Sequence, residues 1–464
     1  MRIFSFYLKT LRLFNILLLV FFFLIAAGQP VTVKAADNSG NNAQGIVQSS
    51  LEAIWSGRDF SPELEARQKV LKTMLQNGSV KKGDLETMVE ATLLSLMDRQ
   101  KTSRYILNKM PERIEAVFSP LMDWTAFKAI MWRAASSPAN DNDPIIIKIG
   151  TLAPPGTPWL IVPETKTIPE IERLAGGKIK LKIYGGGVMG EDADILRKMD
   201  VGQLDGCGCT AVGVLTASPD ASALLMPTLF NNYDEVDYIF KKFRKRLDEG
   251  FEKKGYILGA LIDTGFFYIF SKNKITSLAD IRKQKPYTWF GVVETTLFDE
   301  LGINAVPVAV PEAISALSTG LADTATGPAA WFLGMQAYQY VNYILKPPLF
   351  YSPAAIIVST QTKNRIQSQL GVSDTFALNV QEILVSQFNS IEPEWRQQVR
   401  SYEAKCLEAF ETKCGMKVMT FSDEDMKVIR EASKAVQKKL AGKIFPEDLI
   451  DDIQKALAEY RANH

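Results

Sequence analysis

Residue types that commonly carry enzymatic chemistry are scarce in this sequence. His464, the last residue, is its only histidine, which removes the most frequent general base and the most frequent protein ligand of metals. The phosphate-loop pattern GxxxxGK[ST], the zinc pattern HExxH and the esterase pattern GxSxG are absent. We therefore predict a protein that is not an enzyme and that uses no cofactor and no metal.

A glycine-rich stretch and four cysteines are the next candidates for chemistry. YGGGVMG, residues 184–190, lacks the lysine of a phosphate-binding loop, so we predict a structural turn. Cys207 and Cys209 lack a second Cys or His pair, which makes a zinc site a weak interpretation, and we predict buried thiols. Cys406 and Cys414 flank a helical pattern, and the sequence leaves open whether they pair.

An aromatic pair stands out in KPYTWFG, residues 285–291. Tyr287 and Trp289 fall on a short predicted strand, and a helical pattern begins after Gly291. Ligands of open α/β sheets often bind where a strand leads into a helix. Since residues two apart in a strand point to the same face, Trp289 faces a cleft if Tyr287 does.

Length and composition indicate how many domains the protein has and to which broad class it belongs. The 464 residues are enough for two or three domains. Hydrophobic residues make up 47% and charged residues 23%, which is typical of a soluble globular protein. A net charge of +1 gives no reason to expect a nucleic-acid partner.

The N-terminus has the three parts of a secretory signal peptide. A basic start, Arg2 to Arg12, is followed by an apolar run, Ile16 to Ala27, and by the small-residue cleavage site Val33–Ala35. The apolar run is short for a membrane span of roughly 20 residues. We predict that residues 1–35 are a signal peptide, cleaved after Ala35, and that the mature protein is soluble and periplasmic.

The remaining chain changes its periodicity once. Residues 36–135 show helical spacing and predict an all-α N-terminal domain, and SSPANDNDP, residues 136–144, has the composition of a linker. From residue 145 strands and helices alternate, which predicts parallel α/β sheets in two lobes, the second over about 265–345. The segment 361–462 is mostly helical. A cleft between two lobes is a natural small-molecule site.

Three stretches carry a resemblance to a known family. TLAPPGTPW, YGGGVMGEDADILRKMDVGQLDGCGCTAVGV and the block from IRKQKPYTW to LADTATGP resemble DctP-type solute-binding proteins of tripartite ATP-independent periplasmic (TRAP) transporters. The resemblance covers about residues 145–420. It implies an α/β, type II-like two-lobed fold with long connecting helices over 145–464, and delivery of a captured solute to TRAP permease subunits. Residues 36–135 are extra to the family.

The sequence departs from the family where an organic acid would be held. The arginine that the resemblance implies at the start of the second lobe falls at Tyr287, a second arginine falls at Phe267, and a polar residue falls at Gly327. Arg282 lies close by and is a candidate to replace the first arginine.

These departures predict the chemistry of the ligand. A carboxylate enclosed in a cleft needs a charged partner, since burying an unpaired charge costs several kcal/mol. We therefore predict a small, apolar or weakly polar ligand. An aromatic cage can also hold a quaternary ammonium, which would want an acid such as Glu294, Asp263 or Asp323 nearby.

Six residues are predicted to bind the ligand: Trp159, Thr210, Phe267, Tyr287, Trp289 and Trp331. A second hypothesis is a non-transport interaction or scaffold protein that recruits a protein partner through the helices of residues 44–135. The sequence does not name the ligand or the oligomeric state.

Overall fold

The computed structural model describes residues 39–55, 61–99, 114, 117–123, 127, 129–130, 144–289, 291–370 and 374–464. The predicted signal peptide lies outside the described residues, as does the predicted linker except for its last residue. Within the described ranges, no helix is both long and apolar enough to cross a membrane.

The chain divides into two compact units. One contains the described residues up to Ile145 together with Ile171–Ile179 and Lys363–Ile383. The other contains Ile146–Glu170, Lys180–Thr362 and Leu384–His464.

The N-terminal unit begins with three helices. They are α1 (Ser39–Trp55), α2 (Ser61–Gln76) and α3 (Lys82–Arg99). The apolar residues of α1 recur every three or four positions, from Ala43 to Ile54, and are buried, as expected for one face of an amphipathic helix. The prediction of an additional helical segment before the α/β part is confirmed.

The second unit is built on a nine-stranded mixed sheet. Its order is β2-β1-β3-β8-β4-β7-β5-β6, with β9 beside β8. The strands are β1 (Ile145–Thr151), β2 (Ile179–Tyr184), β3 (Gly206–Cys209), β4 (Tyr256–Ser271), β5 (Pro286–Thr288), β6 (Val306–Pro307), β7 (Thr324–Gly327), β8 (Tyr343–Ser359) and β9 (Lys417–Thr420).

Helices connect these strands and form the C-terminal part. They are α4 (Pro158–Val162), α5 (Ile168–Leu174), α6 (Asp192–Asp200), α7 (Ala211–Ala217), α8 (Pro219–Ser222), α9 (Tyr233–Glu252), α10 (Leu278–Ile281), α11 (Val292–Glu300), α12 (Ala313–Thr319), α13 (Ala329–Gly334), α14 (Thr362–Leu370), α15 (Asp374–Thr412), α16 (Asp423–Leu440) and α17 (Glu447–Asn463). A π-helical turn, Pro163–Thr167, joins α4 to α5.

The two-lobed α/β fold is confirmed, and its sheet is mixed. Pairing is parallel between β1 and β3 in the first lobe and between β5 and both β6 and β7 in the second. The long strands β4 and β8 pair antiparallel to each other and join the lobes. Residues 256–271 form one long strand, β4, whose pairing with β8 has register shifts at Leu258/Ala260, Asp263/Gly265 and Phe267/Ile269. Such irregularities bend a strand without ending it.

The prediction of buried thiols at Cys207 and Cys209 is wrong in its chemistry. Both residues are fully buried in β3, but they form a disulfide. Side chains two residues apart in a strand lie on the same face, and here the Cα atoms are 5.2 Å apart, close enough for a bridge. Cys406 and Cys414 are both free.

Arg461 is one of several residues that join the last helix, α17, to α9. Arg461 donates to both carboxylate oxygens of the buried Glu235, at 2.8 and 2.7 Å, and to the Leu229 carbonyl at 2.7 Å. Burial by itself would raise the pKa of Glu235, but the bonds from Arg461 and Asn231 outweigh it and lower the pKa.

Arg461→Met should therefore lower the free energy of unfolding by about 1–3 kcal/mol. Because the folded pKa of Glu235 is lowered, this contribution is present above the ordinary carboxyl range and is lost as the pH falls. Urea unfolding at pH 7 and pH 3.5 measures it. Arg430→Met, which alters an exposed arginine of α16, is the control. If the two substitutions lower the free energy of unfolding equally at pH 7, the stabilising role of the Arg461–Glu235 pair is contradicted.

Candidate ligand-binding site

A pocket that opens to solvent lies within the second unit. Both lobes and the elements that join them supply its walls. The lining residues are Thr151, Leu152, Ala153, Pro154, Trp159, Gly208, Cys209, Thr210, Ile262, Thr264, Trp289, Pro328, Trp331, Ala354, Ile356 and Trp395. Residues 151–154 lie at and after the end of β1, Trp159 lies on α4, and residues 208–210 lie at the end of β3. Ile262 and Thr264 come from the middle of β4, and Ala354 and Ile356 come from β8. Trp289 follows β5, Pro328 and Trp331 lie at the start of α13, and Trp395 lies on α15.

Four tryptophans give the pocket its aromatic character. They are Trp159, Trp289, Trp331 and Trp395, and all four are buried. The rings of Trp289 and Trp331 meet edge to face, with centroids 4.8 Å apart and planes 76° apart. Among the described residues, none of those that line the pocket carries a charge.

Hydrogen bonds to the backbone fix two of these indoles. Trp159 Nε1 donates to the carbonyl of Asp263 at 2.8 Å, and Trp395 Nε1 donates to the carbonyl of Pro158 at 3.0 Å. Nε1 of Trp289 is buried and has no hydrogen-bond partner within the described part of the chain.

Three threonine hydroxyls line the pocket and already donate to protein atoms. Thr151 Oγ1 donates to the carbonyl of Gly208 at 2.8 Å, and Thr264 Oγ1 donates to the carbonyl of Pro353 at 3.3 Å. Thr210 Oγ1 donates to Asp192 Oδ2 at 2.6 Å. These hydroxyls therefore offer a ligand mainly acceptor lone pairs.

Asp192 lies directly behind Thr210. Its Oδ2 accepts from the Thr210 hydroxyl and from the backbone N–H groups of Thr210 and Gly213, both at 2.9 Å. Oδ1 is buried without a partner among the described residues. Burial raises the pKa of Asp192, although the hydrogen bonds oppose the shift.

Glu403 supports another wall. Its two carboxylate oxygens accept from the backbone N–H groups of Ala329 at 2.7 Å and Ala330 at 2.9 Å, at the start of the helix that carries Trp331. Burial raises the pKa of Glu403 to about 8.

Two further carboxylates touch the pocket walls. Glu294 accepts from the Trp289 N–H and from the Thr326 hydroxyl. Asp263, on β4, accepts from Arg400 Nε at 2.7 Å, and Arg400 also pairs with Asp237. Burial raises the pKa of Asp263, and Arg400 offsets part of the shift.

The structure brings four of the six predicted binding residues to the pocket and leaves two outside its lining. Trp159, Thr210, Trp289 and Trp331 line it. Phe267 packs edge to face against Trp289, with centroids 5.4 Å apart. Tyr287 is fully buried on β5, and its hydroxyl has no hydrogen-bond partner among the described residues. Ligand contact by any of the six stays a prediction.

The structure also places Arg282 and Gly327, the other two positions that the family resemblance singled out. Arg282 Nε donates to the carbonyl of Leu301 at 2.8 Å, and Arg282 does not line the pocket. A Cβ at Gly327 would lie 2.8 Å from the ring of Phe332 and 3.2 Å from Trp289, so a larger residue does not fit there without rearrangement.

Sequence reasoning missed Trp395. This residue lies on α15, more than sixty residues beyond Trp331, in a segment where apolar helical spacing indicates only a packed helix. A tryptophan in a helix is ordinarily a core residue, and no local signal separates the two roles.

Comparison with known proteins gives the family. The model of bacterial extracellular solute-binding proteins, family 7 (DctP), matches residues 149–443. The chain belongs to this family. The matched range begins after the N-terminal helices, as the sequence resemblance implies.

Members with curated sequences are distant. A solute-binding protein from Chromohalobacter salexigens is 22% identical over 176 residues, which is 38% of this chain and 52% of that protein. One from Roseobacter denitrificans is 22% identical over 213 residues, or 46% of this chain and 65% of that protein. The chain therefore spans about half to two thirds of these relatives.

Solved structures of TRAP solute-binding proteins share the fold. A sugar acid binding protein from Advenella mimigardefordensis, in complex with galactonate, is 21% identical with a TM-score of 0.62, covering 69% of this chain and 99% of that one. A TRAP periplasmic solute binding protein from Haemophilus influenzae with bound L-gulonate is 17% identical with a TM-score of 0.59, covering 68% and 99%.

The buried carboxyl of Glu403 predicts a pH effect on stability. Its folded pKa of about 8 lies above the ordinary value of 4.5, so its contribution falls as the pH rises from about 4.5 to 8. Glu403→Gln should remove this dependence, shifting the variant-minus-wild-type free energy of unfolding by roughly 1–3 kcal/mol in the variant's favour between pH 5 and pH 8.5. Urea unfolding at both pH values measures it.

Glu408→Gln makes the same chemical change at an exposed position of the same helix and should show no such shift. A pH-independent difference for Glu403→Gln would contradict the buried-carboxyl interpretation.

Proposed function

We propose that this protein is an extracytoplasmic solute-binding receptor of a TRAP-type secondary transporter, which captures an apolar or weakly polar ligand between its lobes and delivers it to a membrane permease. Export to the periplasm through the cleaved signal peptide of residues 1–35 is part of the proposal. The observation that carries it is the pocket of four tryptophans whose lining, in the described residues, has no charged side chain.

The ligand class proposed here differs from that of the structural neighbours, and the proposal rests on the residues of this pocket. Neighbours contain galactonate, L-gulonate, orotic acid or succinate, all of which are acids. Here Tyr287 stands where the family resemblance places an arginine, and Arg282 binds a backbone carbonyl elsewhere. A carboxylate enclosed by this pocket would lose its hydration without gaining a cationic partner, which costs several kcal/mol.

The buried walls explain how a ligand with apolar surface would gain affinity. Apolar surface that binding removes from water contributes roughly 25 cal/mol per Å², and most of that surface is the ligand's own because the tryptophans are already buried. Since both lobes supply lining residues, a ligand that contacts both would stabilise their closed arrangement.

No observation favours the alternative of an interaction or scaffold protein. Among the described residues, α1 and α3 bury apolar faces, from Ala43 to Ile54 and from Leu85 to Leu93, which is ordinary packing within a helical unit. A protein partner of residues 44–135 stays a prediction.

Native mass spectrometry of the purified protein tests the ligand class. We expect an added mass that belongs to a molecule without a carboxylate, and no thermal stabilisation by millimolar galactonate, L-gulonate or succinate. Trp331→Ala should lose the added mass, because it removes a wall of the pocket. Ile161→Ala, an exposed position on α4, should keep it. An acid as the bound molecule, or stabilisation by one of the three acids, would overturn the proposal.

A further inference from the structure

We propose that the group held between the tryptophans is an alkylated ammonium, so that the ligand is a cation with an apolar surface, such as a trimethylammonium compound. This inference rests on the proposed receptor function, and it specifies that the apolar ligand carries one positive charge. It joins two independent observations: indole walls around the pocket, and buried carboxyl groups directly behind those walls.

The indole walls suit such a group. A quaternary ammonium spreads its charge over methyl groups and therefore pairs apolar surface with positive potential. Tryptophan is the side chain whose ring face attracts a cation most strongly, and aromatic cages are the usual way in which proteins bind quaternary ammonium groups. The edge-to-face arrangement of Trp289 and Trp331 provides two differently oriented walls.

Four buried carboxyl groups lie next to the residues that line the pocket. Three of them accept hydrogen bonds from lining residues or their neighbours, and the fourth is adjacent to lining residues in sequence. Asp192 accepts from Thr210, and Glu294 accepts from the backbone of Trp289. Glu403 accepts from Ala329 and Ala330, which lie between the lining residues Pro328 and Trp331. The fourth, Asp263, lies between the lining residues Ile262 and Thr264.

Two arginines behind the walls face one member of this set, Asp263. Arg400 pairs with Asp263 but is shared with Asp237, and Arg396, 3.9 Å from Asp263, also pairs with Asp237 and Glu392. Asp192 and Glu403 have no ion pair among the described residues, and Oδ1 of Asp192 is buried with no hydrogen bond. Burial accordingly raises the pKa of both carboxyls. A cation in the pocket would favour their ionised forms, whereas an anion would be repelled.

Three probes of one shape test the charge. Choline ends in a trimethylammonium group, and 3,3-dimethylbutan-1-ol and 3,3-dimethylbutanoate end in a tert-butyl group of the same shape, so the three probes are positive, neutral and negative. Binding to the full mature chain, stripped of bound molecules by unfolding and refolding, is measured by calorimetry. We expect choline to bind at least about tenfold more tightly than the alcohol, and the butanoate not to bind.

The outcomes separate this inference from the proposed function. If the alcohol binds as tightly as choline, the cation is wrong and the uncharged-ligand receptor stands. If the butanoate binds most tightly, both fail. Absence of binding by choline overturns the inference, whatever the alcohol does.

Charge-removing variants test the carboxyl groups. Asp192→Asn keeps an oxygen for the bonds from Thr210 and Gly213, and it should weaken choline about fivefold while leaving the alcohol within about twofold. Glu403→Gln is a second variant with the same expectation. Asp299→Asn removes an exposed carboxyl and should change neither. If neither Asp192→Asn nor Glu403→Gln changes the ratio of choline affinity to alcohol affinity, the buried carboxyl groups do not attract the cation and that part of the inference is overturned.

The aromatic part has its own variant. Trp331→Leu keeps apolar surface but removes the ring face, so it should weaken choline by a larger factor than the alcohol. Equal weakening of the two probes would show that the ring acts only as apolar surface and would overturn the cage.

Discussion

Carboxyl groups that have lost their hydration fasten the walls of the pocket, and the arrangement of the site depends on their hydrogen bonds. Asp192 joins the start of α6 to the end of β3 and the start of α7. Glu403 joins α15 to the first residues of α13. A buried carboxyl without such bonds is strongly unfavourable, so these contacts stabilise the packed walls. Trp289 and Trp331 also contact each other edge to face, and the indoles of Trp159 and Trp395 donate to backbone carbonyls.

The connecting elements explain why one small pocket receives residues from so many parts of the chain. β4 and β8 pair antiparallel through the centre of the sheet and carry lining residues at their midpoints. The helix α15 contributes Trp395 to the pocket, Arg400 to Asp263 and Glu403 to α13. Because these elements belong to neither lobe alone, a change in their geometry alters the walls on both sides.

The fold is common to the family, and the chemistry of the pocket is particular to this chain. Neighbours with the same two-lobed fold contain sugar acids and other carboxylates. In this chain the described lining is aromatic and uncharged, and acidic groups stand behind it. Function therefore has to be argued from the side chains of the site, since the shared fold permits different ligands.

The sequence by itself determined the family, the alternation of strands and helices, the additional N-terminal helices and the scarcity of catalytic residue types. These features depend on local composition and on periodicity over short stretches, so they do not require knowledge of which distant residues are in contact. It also indicated four lining residues, Trp159, Thr210, Trp289 and Trp331, because they follow recognisable strand ends or family motifs.

Only the tertiary structure decided which aromatic residues face the pocket and which are core. Tyr287 and Trp289 are two residues apart, yet Tyr287 is buried on β5 while Trp289 lies past the strand's last residue and lines the pocket. Trp395 and Glu403 reach the site from α15, a helix distant in sequence, and the antiparallel pairing of β4 with β8 brings the lining residues of those two strands together. Burial, and with it the pKa of each carboxyl, depends on residues far apart along the chain, so no local pattern could have shown that acids stand behind an aromatic wall.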